Sequence, residues 1–432
     1  MRLHDALSAT ACEQAQGIAR GLWRGSELIA AQRARIAQEN PRLRAYVAQT
    51  EDDCAGEATG GALAGIGFAV KDNIALAGFP SHAGLRALNA APEPADAPVV
   101  RRLKAAGLVA LGKLNMSPMA LGATNRNADF GDCENPRRAG FTPGGSSGGS
   151  GAAVAAGLCA IALGTDTMGS VRIPAAYCGV VGFKPSFGEI STDGVVPLCR
   201  LLDHVGILAR SVDDVTQAFA FARTPGGPQD GAEPLPMHLA VPAKPGQLGL
   251  TDVVARAFER TLARLRSRGW TLREVDLSFH DFGAVRRAGL LLCEAELLGL
   301  LGPVLAQRAN DVPADLRALL DYAGRKSATD LARALGVVID AGVRLADLQR
   351  EHEMLLLPTA PQTSFRFDAP VPAHQADLTA LANFTGGPAI SLPVPVGEGE
   401  LPVGVQLVGV RAGDWRLLRQ AARIARDIEE AT

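Results

Sequence analysis

Thr142-Pro143-Gly144-Gly145-Ser146-Ser147-Gly148-Gly149-Ser150-Gly151 is followed closely by Gly164-Thr165-Asp166-Thr167-Met168-Gly169-Ser170-Val171-Arg172-Ile173-Pro174-Ala175-Ala176. The first stretch closes a Gly-, Asn-, Ser- and Pro-rich segment, residues 125–151, that reads as a long loop. Residues 152–156 read as a helix seed and residues 160–163 as an apolar strand. Strand candidates continue at residues 66–70, 108–111, 180–183, 238–241, 271–275, 354–357, 389–392 and 403–408. Helical periodicity falls at residues 26–49, 97–106, 253–268, 285–305, 327–351 and 415–429. A further helix starts at Ser211, with the cap followed by Asp213 and Asp214 in the first turn. Strands and helices alternate throughout, which predicts an α/β protein with a largely buried sheet.

A Gly/Ser run alone has several readings. A flexible loop is the plain one. A phosphate-binding loop requires Gly-Lys-Ser/Thr, which does not follow here. A dinucleotide fingerprint requires a strand directly before it, where this chain has a Pro-containing loop. Gly144-Gly145-Ser146-Ser147-Gly148 formally matches a nucleophile elbow, but convincing Asp and His partners are not apparent. The two segments instead resemble the signature of the amidase-signature family, as does the strand Gly67-Phe68-Ala69-Val70-Lys71-Asp72-Asn73-Ile74. Residues 111–115, 178–185, 202–206, 383–390 and 401–409 continue the likeness, which covers roughly residues 10–430 and is thinner over 225–350.

The resemblance implies a single domain over residues 1–432, with a large mixed β-sheet covered by helices on both faces. Residues 1–50 would pack on the core as helices, and residues 225–236 are the best linker candidate. It also implies a Ser–Ser–Lys triad. Ser170 is the nucleophile, Ser146, 24 positions earlier, bridges, and Lys71 is the base. The peptide before Ser146 is expected to be cis. Backbone N–H groups of Thr167, Met168, Gly169 and Ser170 would form the oxyanion hole. The implied activity is hydrolysis of linear amides through an acyl-enzyme, without cofactor or metal.

The chemistry of the residues agrees. A serine hydroxyl is a weak nucleophile and needs a base. An ordinary lysine, with a pKa of about 10.4, is neutral in very few molecules at pH 7, but burial lowers that pKa. Lys71 follows an apolar strand, which fits burial; Asp72, turned inward, would keep it charged. Met168 stands where the family commonly has Gly, and Pro118 where it often has an acid. A positive φ at residue 168 would strain a Met. Asp166, Arg172, Arg200 and Ser147 are candidates for binding substrate or supporting the loops, with Arg172 or Arg200 able to meet an anion. Tyr177 and Cys178 read as packing residues. Pocket walls are expected from residues 115–135 and 280–330.

Composition narrows the rest. Lys+Arg total 43 and Asp+Glu 45, a formal net charge of −2, which gives no electrostatic reason for direct nucleic-acid binding. The seven Cys are scattered without a CxxC pair, and the seven His show no metal-ligand spacing. These features predict a cytoplasmic enzyme with reduced thiols. The N-terminus lacks a signal-peptide core, and residues 151–164, taken as the longest low-polarity stretch, are too short to span a bilayer. The expected partner is a small amide substrate, with no membrane and no direct nucleic-acid binding, and a homodimer is possible. The leading reading is a free-standing amidase. The alternatives are the glutaminase subunit of a tRNA-dependent amidotransferase, a small-urea hydrolase of the allophanate type, and a catalytically inactive binding protein.

Overall fold

The computed structural model describes residues 3–51, 61–88, 91–226 and 235–429. In chain order the strands are β1 (Tyr46–Gln49), β2 (Gly67–Lys71), β3 (Val109–Leu114), β4 (Ile161–Asp166), β5 (Val181–Lys184), β6 (His204–Ala209), β7 (His238–Pro242), β8 (Thr271–Val275), β9 (Met354–Pro358), β10 (Ala389–Val394) and β11 (Val403–Gly409). Among the described residues these form one sheet in the order β1-β3-β2-β4-β6-β5-β10-β11-β9-β7-β8. The sheet is mixed: β2 runs parallel to both β3 and β4, while β4, β6, β5, β10, β11 and β9 alternate in direction. Its central strands are buried on both faces, so they read as continuous apolar runs and not as alternating ones.

The helices are α1 (Leu3–Ala6), α2 (Ala11–Ala19), α3 (Gly25–Leu43), α4 (Pro98–Ala105), α5 (Gly148–Ala155), α6 (Arg172–Cys178), α7 (Val212–Ala222), α8 (Asp252–Ser267), α9 (Phe282–Arg308), α10 (Ala314–Gly324), α11 (Ala328–Glu351), α12 (Ala380–Phe384) and α13 (Asp414–Glu429). Leu7, Ala11, Trp23 and Leu28 from the N-terminal segment join the same core as Phe68 of β2 and Ile161 of β4. Ser211 caps α7 by accepting the Asp214 N–H, and Ser327 caps α11 in the same way through Asp330. The strands before residues 225–236 and those after it belong to the one sheet; most of that linker, residues 227–234, lies outside the described residues.

Three readings are corrected. Residues 26–49 are not one helix: Arg44 takes a left-handed conformation with φ 49°, ends α3, and releases Tyr46–Gln49 to pair antiparallel with β3. The helical seed at 152–156 starts earlier, at Gly148, inside the Gly/Ser stretch. The longest apolar stretch is not 151–164. The helix from Phe282 to Asp311 is long and apolar enough to cross a membrane by length and composition, and in this fold it packs against α10 and α11.

Candidate active site

The Gly/Ser stretch forms a loop that enters α5 between close neighbours. A Cβ on Gly149 would lie 2.4 Å from the Asn115 carbonyl oxygen, so no larger residue fits without moving the loop. The Gly145–Ser146 peptide is cis. Ser146 is fully buried and accepts a hydrogen bond from Lys71 Nζ at 2.8 Å. Lys71 closes β2, is fully buried, and donates a second bond to Thr165 Oγ1 at 2.7 Å. Burial pushes its pKa down to about 7, against the attraction of Asp166 and Asp203. Asp72 does not turn toward it. The Asp72 carboxylate accepts the Gly84 N–H at 2.9 Å, and its charge acts on Lys113.

Ser170 is partly exposed and lines a cavity of about 290 Å³. Among the described residues no hydrogen bond joins the Ser146 and Ser170 hydroxyls. The recorded link between their segments is from the Ser147 N–H to the Ser170 carbonyl, 3.2 Å.

The turn before Ser170 is held from behind. Asp166 and Arg172, both fully buried, meet through two contacts, Arg172 Nε to Oδ2 at 3.0 Å and Nη2 to Oδ1 at 2.9 Å. Burial alone would raise the Asp166 pKa, but the charge and hydrogen bonds of Arg172 hold it well below the carboxylate range. Arg172 also donates to Gln406 at 2.9 Å and Asn383 at 2.7 Å. Asp166 accepts the Gly169 N–H at 2.7 Å and the Val171 N–H at 3.2 Å. The Gly169 N–H is therefore engaged, which removes it from the expected oxyanion donors. Among the described residues the N–H groups of Thr167, Met168 and Ser170 donate to no other group.

The positive φ in this turn falls on Gly169, at 126°, where a Cβ would lie 2.1 Å from Thr379 Oγ1. Met168 is not among the positive-φ residues and carries no such strain. Its side chain lines the cavity, and its carbonyl accepts the Thr379 hydroxyl at 2.7 Å. Ser147 is buried and bonds the Thr165 backbone. Cys178 is buried with its pKa pushed up to about 12, an inert thiol.

Neither arginine expected to meet an anion lies at the cavity. Arg172 is committed to Asp166, and Arg200 is an exposed residue paired with Glu296. The charged side chain in the cavity wall is instead Arg286, on α9. Residues 120–123 and α9 supply walls within the expected segments; residues 371–376 supply a wall that was not expected. Thr165, the second partner of Lys71, also went unread, although it sits beside Asp166 in the quoted motif.

The chain matches the family described as Amidase over residues 27–418 and belongs to it. It is an amidase-signature hydrolase acting on C–N amide bonds. It is 34% identical to a Glutamyl-tRNA(Gln) amidotransferase subunit of Thermus thermophilus, with 96% of this chain and 95% of the relative covered. Among solved structures, one described as "Crystal structure of amidase" is 29% identical with a TM-score of 0.89, covering 97% of this chain and 100% of the other. Another is described as "An unexpected vestigial protein complex reveals the evolutionary origins of an s-triazine catabolic enzyme"; it is 28% identical with a TM-score of 0.89, covering 98% and 99%. These relatives correct the expectation about partners. A small amide as partner, with a possible homodimer and no direct nucleic-acid binding, does not describe relatives that are named as subunits of a tRNA amidotransferase or as part of a protein complex.

Proposed function

We propose that the chain is the amide-hydrolysing subunit of a protein assembly, freeing ammonia from an amide donor for use by a partner, as the name of its tRNA amidotransferase relatives suggests. The observation that carries the chemistry is the contact of a fully buried lysine, Lys71, with the Ser146 hydroxyl at 2.8 Å. A pKa near 7 leaves about half of such a lysine neutral at neutral pH, where an ordinary one is almost wholly charged.

In this reading neutral Lys71 takes the proton of Ser146 while Ser146 takes that of Ser170. Ser170 Oγ bonds to the amide carbon, and the negative charge moves to the carbonyl oxygen. The N–H groups of Thr167, Met168 and Ser170 are the donors for that oxyanion. The proton on Lys71 returns through Ser146 to the leaving nitrogen, the C–N bond breaks, and ammonia departs from an acyl-Ser170 ester. Water, deprotonated by the same relay, attacks the ester and releases the carboxylic acid. Asp166 and Arg172 hold the turn and do not touch substrate. The scattered free cysteines support a cytoplasmic setting.

The test is ammonia release from glutamine and other primary amides, measured for the chain alone and for the form purified from its own cells. Release that Ser170→Ala abolishes, in a native fraction containing a second polypeptide, is the expected result. Full activity in a native fraction holding the single chain would return it to the class of free-standing amidases.

A further inference from the structure

The cavity at Ser170 is small and its walls are mostly apolar. Ala120, Leu121, Ile173, Leu198, Leu290 and Val371 contribute to them. At about 290 Å³ it lies just below the usual range of small-molecule sites, roughly 300–1,000 Å³, a size that suits a short substrate. One charged side chain, Arg286, stands in this lining. Arg286, Leu290 and Cys293 recur at i, i+4 and i+7 and share the face of α9 turned to the cavity.

Arg286 is mostly buried, with 17% of its side chain exposed, and meets Asp377 through Nε alone, 2.6 Å from Oδ1. A guanidinium carries five N–H donors in a planar fork. Among the described residues the Nη1 and Nη2 groups have no hydrogen-bond partner. Those Nη groups are not sealed in the protein interior, so a ligand in the cavity can reach them. A single contact at the back of the fork fixes its orientation and leaves the outer edge, the one suited to bidentate contact with a carboxylate, available.

We propose that Arg286, oriented by Asp377, is the specificity-determining residue of this cavity and receives a carboxylate at the far end of a short amide whose near end lies at Ser170. This rests on Ser170 being the reacting serine. It assigns the substrate class as an amide carrying an anionic group, and it gives the apolar walls the role of holding the few carbons between the two ends.

The test compares matched pairs, succinamate with butyramide and glutaramate with valeramide, in two readouts: equilibrium binding to the Ser170→Ala chain, and kcat/KM of the active chain. The carboxylated member of at least one pair is expected to bind more tightly to Ser170→Ala. Adding Arg286→Gln should reduce that preference roughly 10- to 100-fold, the range for hydrogen bonds to a charged group. In the active chain the same loss should fall mainly on KM. Arg286→Lys should keep part of the preference, since it keeps the charge and loses the fork. If Arg286→Gln folds poorly because Asp377 is left unpaired, the double substitution R286Q/D377N carries the same reading. Equal binding of both members to Ser170→Ala, or a preference that survives loss of Arg286, overturns the proposal. Preferential binding without turnover of any amide would instead overturn the proposed function, and the amide substrate class with it, and leave only the carboxylate contact of Arg286 standing.

Discussion

Thr165 and Asp166 are neighbours at the end of β4, yet they belong to two buried clusters with opposite electrostatics. Alternation along a strand sends successive side chains to opposite faces. Thr165 takes a hydrogen bond from Lys71, whose ammonium is bonded to hydroxyls and to no carboxylate. Asp166 takes two from Arg172, in a pair closed by Asn383 and Gln406. Both clusters are fully buried. In one, burial outweighs the attraction of Asp166 and Asp203 and the lysine is driven toward neutrality; in the other, a near-complete set of partners keeps both charges. Burial by itself therefore does not distinguish a reacting group from a supporting one.

Substitutions that break this contrast should give effects of very different size and kind. Ser170→Ala and Lys71→Ala are each expected to lower kcat by about 10⁴-fold or more, the scale of losing a nucleophile or its base. Ser146→Ala should leave a small residual rate, because water can occupy part of the relay. Steady-state ammonia release measures all three, and a wild-type rate for Lys71→Ala would remove the lysine from the mechanism. Folding should move the other way. A lysine whose folded pKa lies below its unfolded one is a burden at low pH, and the burden fades only as pH rises from about 7 toward the unfolded value near 10.5. Lys71→Met should therefore unfold at an equal or higher temperature than the parent at pH 6, despite its lost activity.

Asp166→Ala is expected to destabilise by about 3–5 kcal/mol, because it leaves the Arg172 guanidinium buried and unpaired. Denaturant titration measures this, and a loss under about 1 kcal/mol would mean that the turn is held by other contacts. The smallest effect belongs to Arg200. Its own side chain is mostly exposed, so Arg200→Gln should change stability by less than about 1 kcal/mol and leave amide turnover as it was.

The contrast was partly legible in the sequence. β2 reads as a short apolar run ending in a lysine, and that is enough to suggest a buried amine; β8, Thr271–Val275, has the bounds its composition predicts. The Gly/Ser stretch and the Asp166–Arg172 segment could be placed near one another because their motif spacing is local. What could not be read was set by distant partners. β1 looked like the end of a helix, since its pairing with β3 involves residues more than sixty positions away. α6 was not read because Pro174 lies inside it. Asp166 and Arg172, six positions apart, could be read as supporting the loops, and they pair. The further partners of Arg172, Asn383 and Gln406, more than two hundred positions away, could not be read, and neither could the role of Arg286, set by Asp377, 91 positions away. Arginine in a sequence carries no mark of whether its fork is filled.

The central claim is that Ser170 is activated by a lysine that loses its proton near neutral pH. It is tested most directly by the pH dependence of covalent labelling of Ser170 with a small fluorophosphonate, followed by intact-mass measurement. Only the neutral amine can accept a proton, so the labelling rate should rise about tenfold per pH unit below the transition and level off above a midpoint near 7, and Lys71→Ala should lose this dependence together with the rate. A rate that is flat from pH 5 to 9 in the parent chain, or an adduct on a residue other than Ser170, would contradict the account.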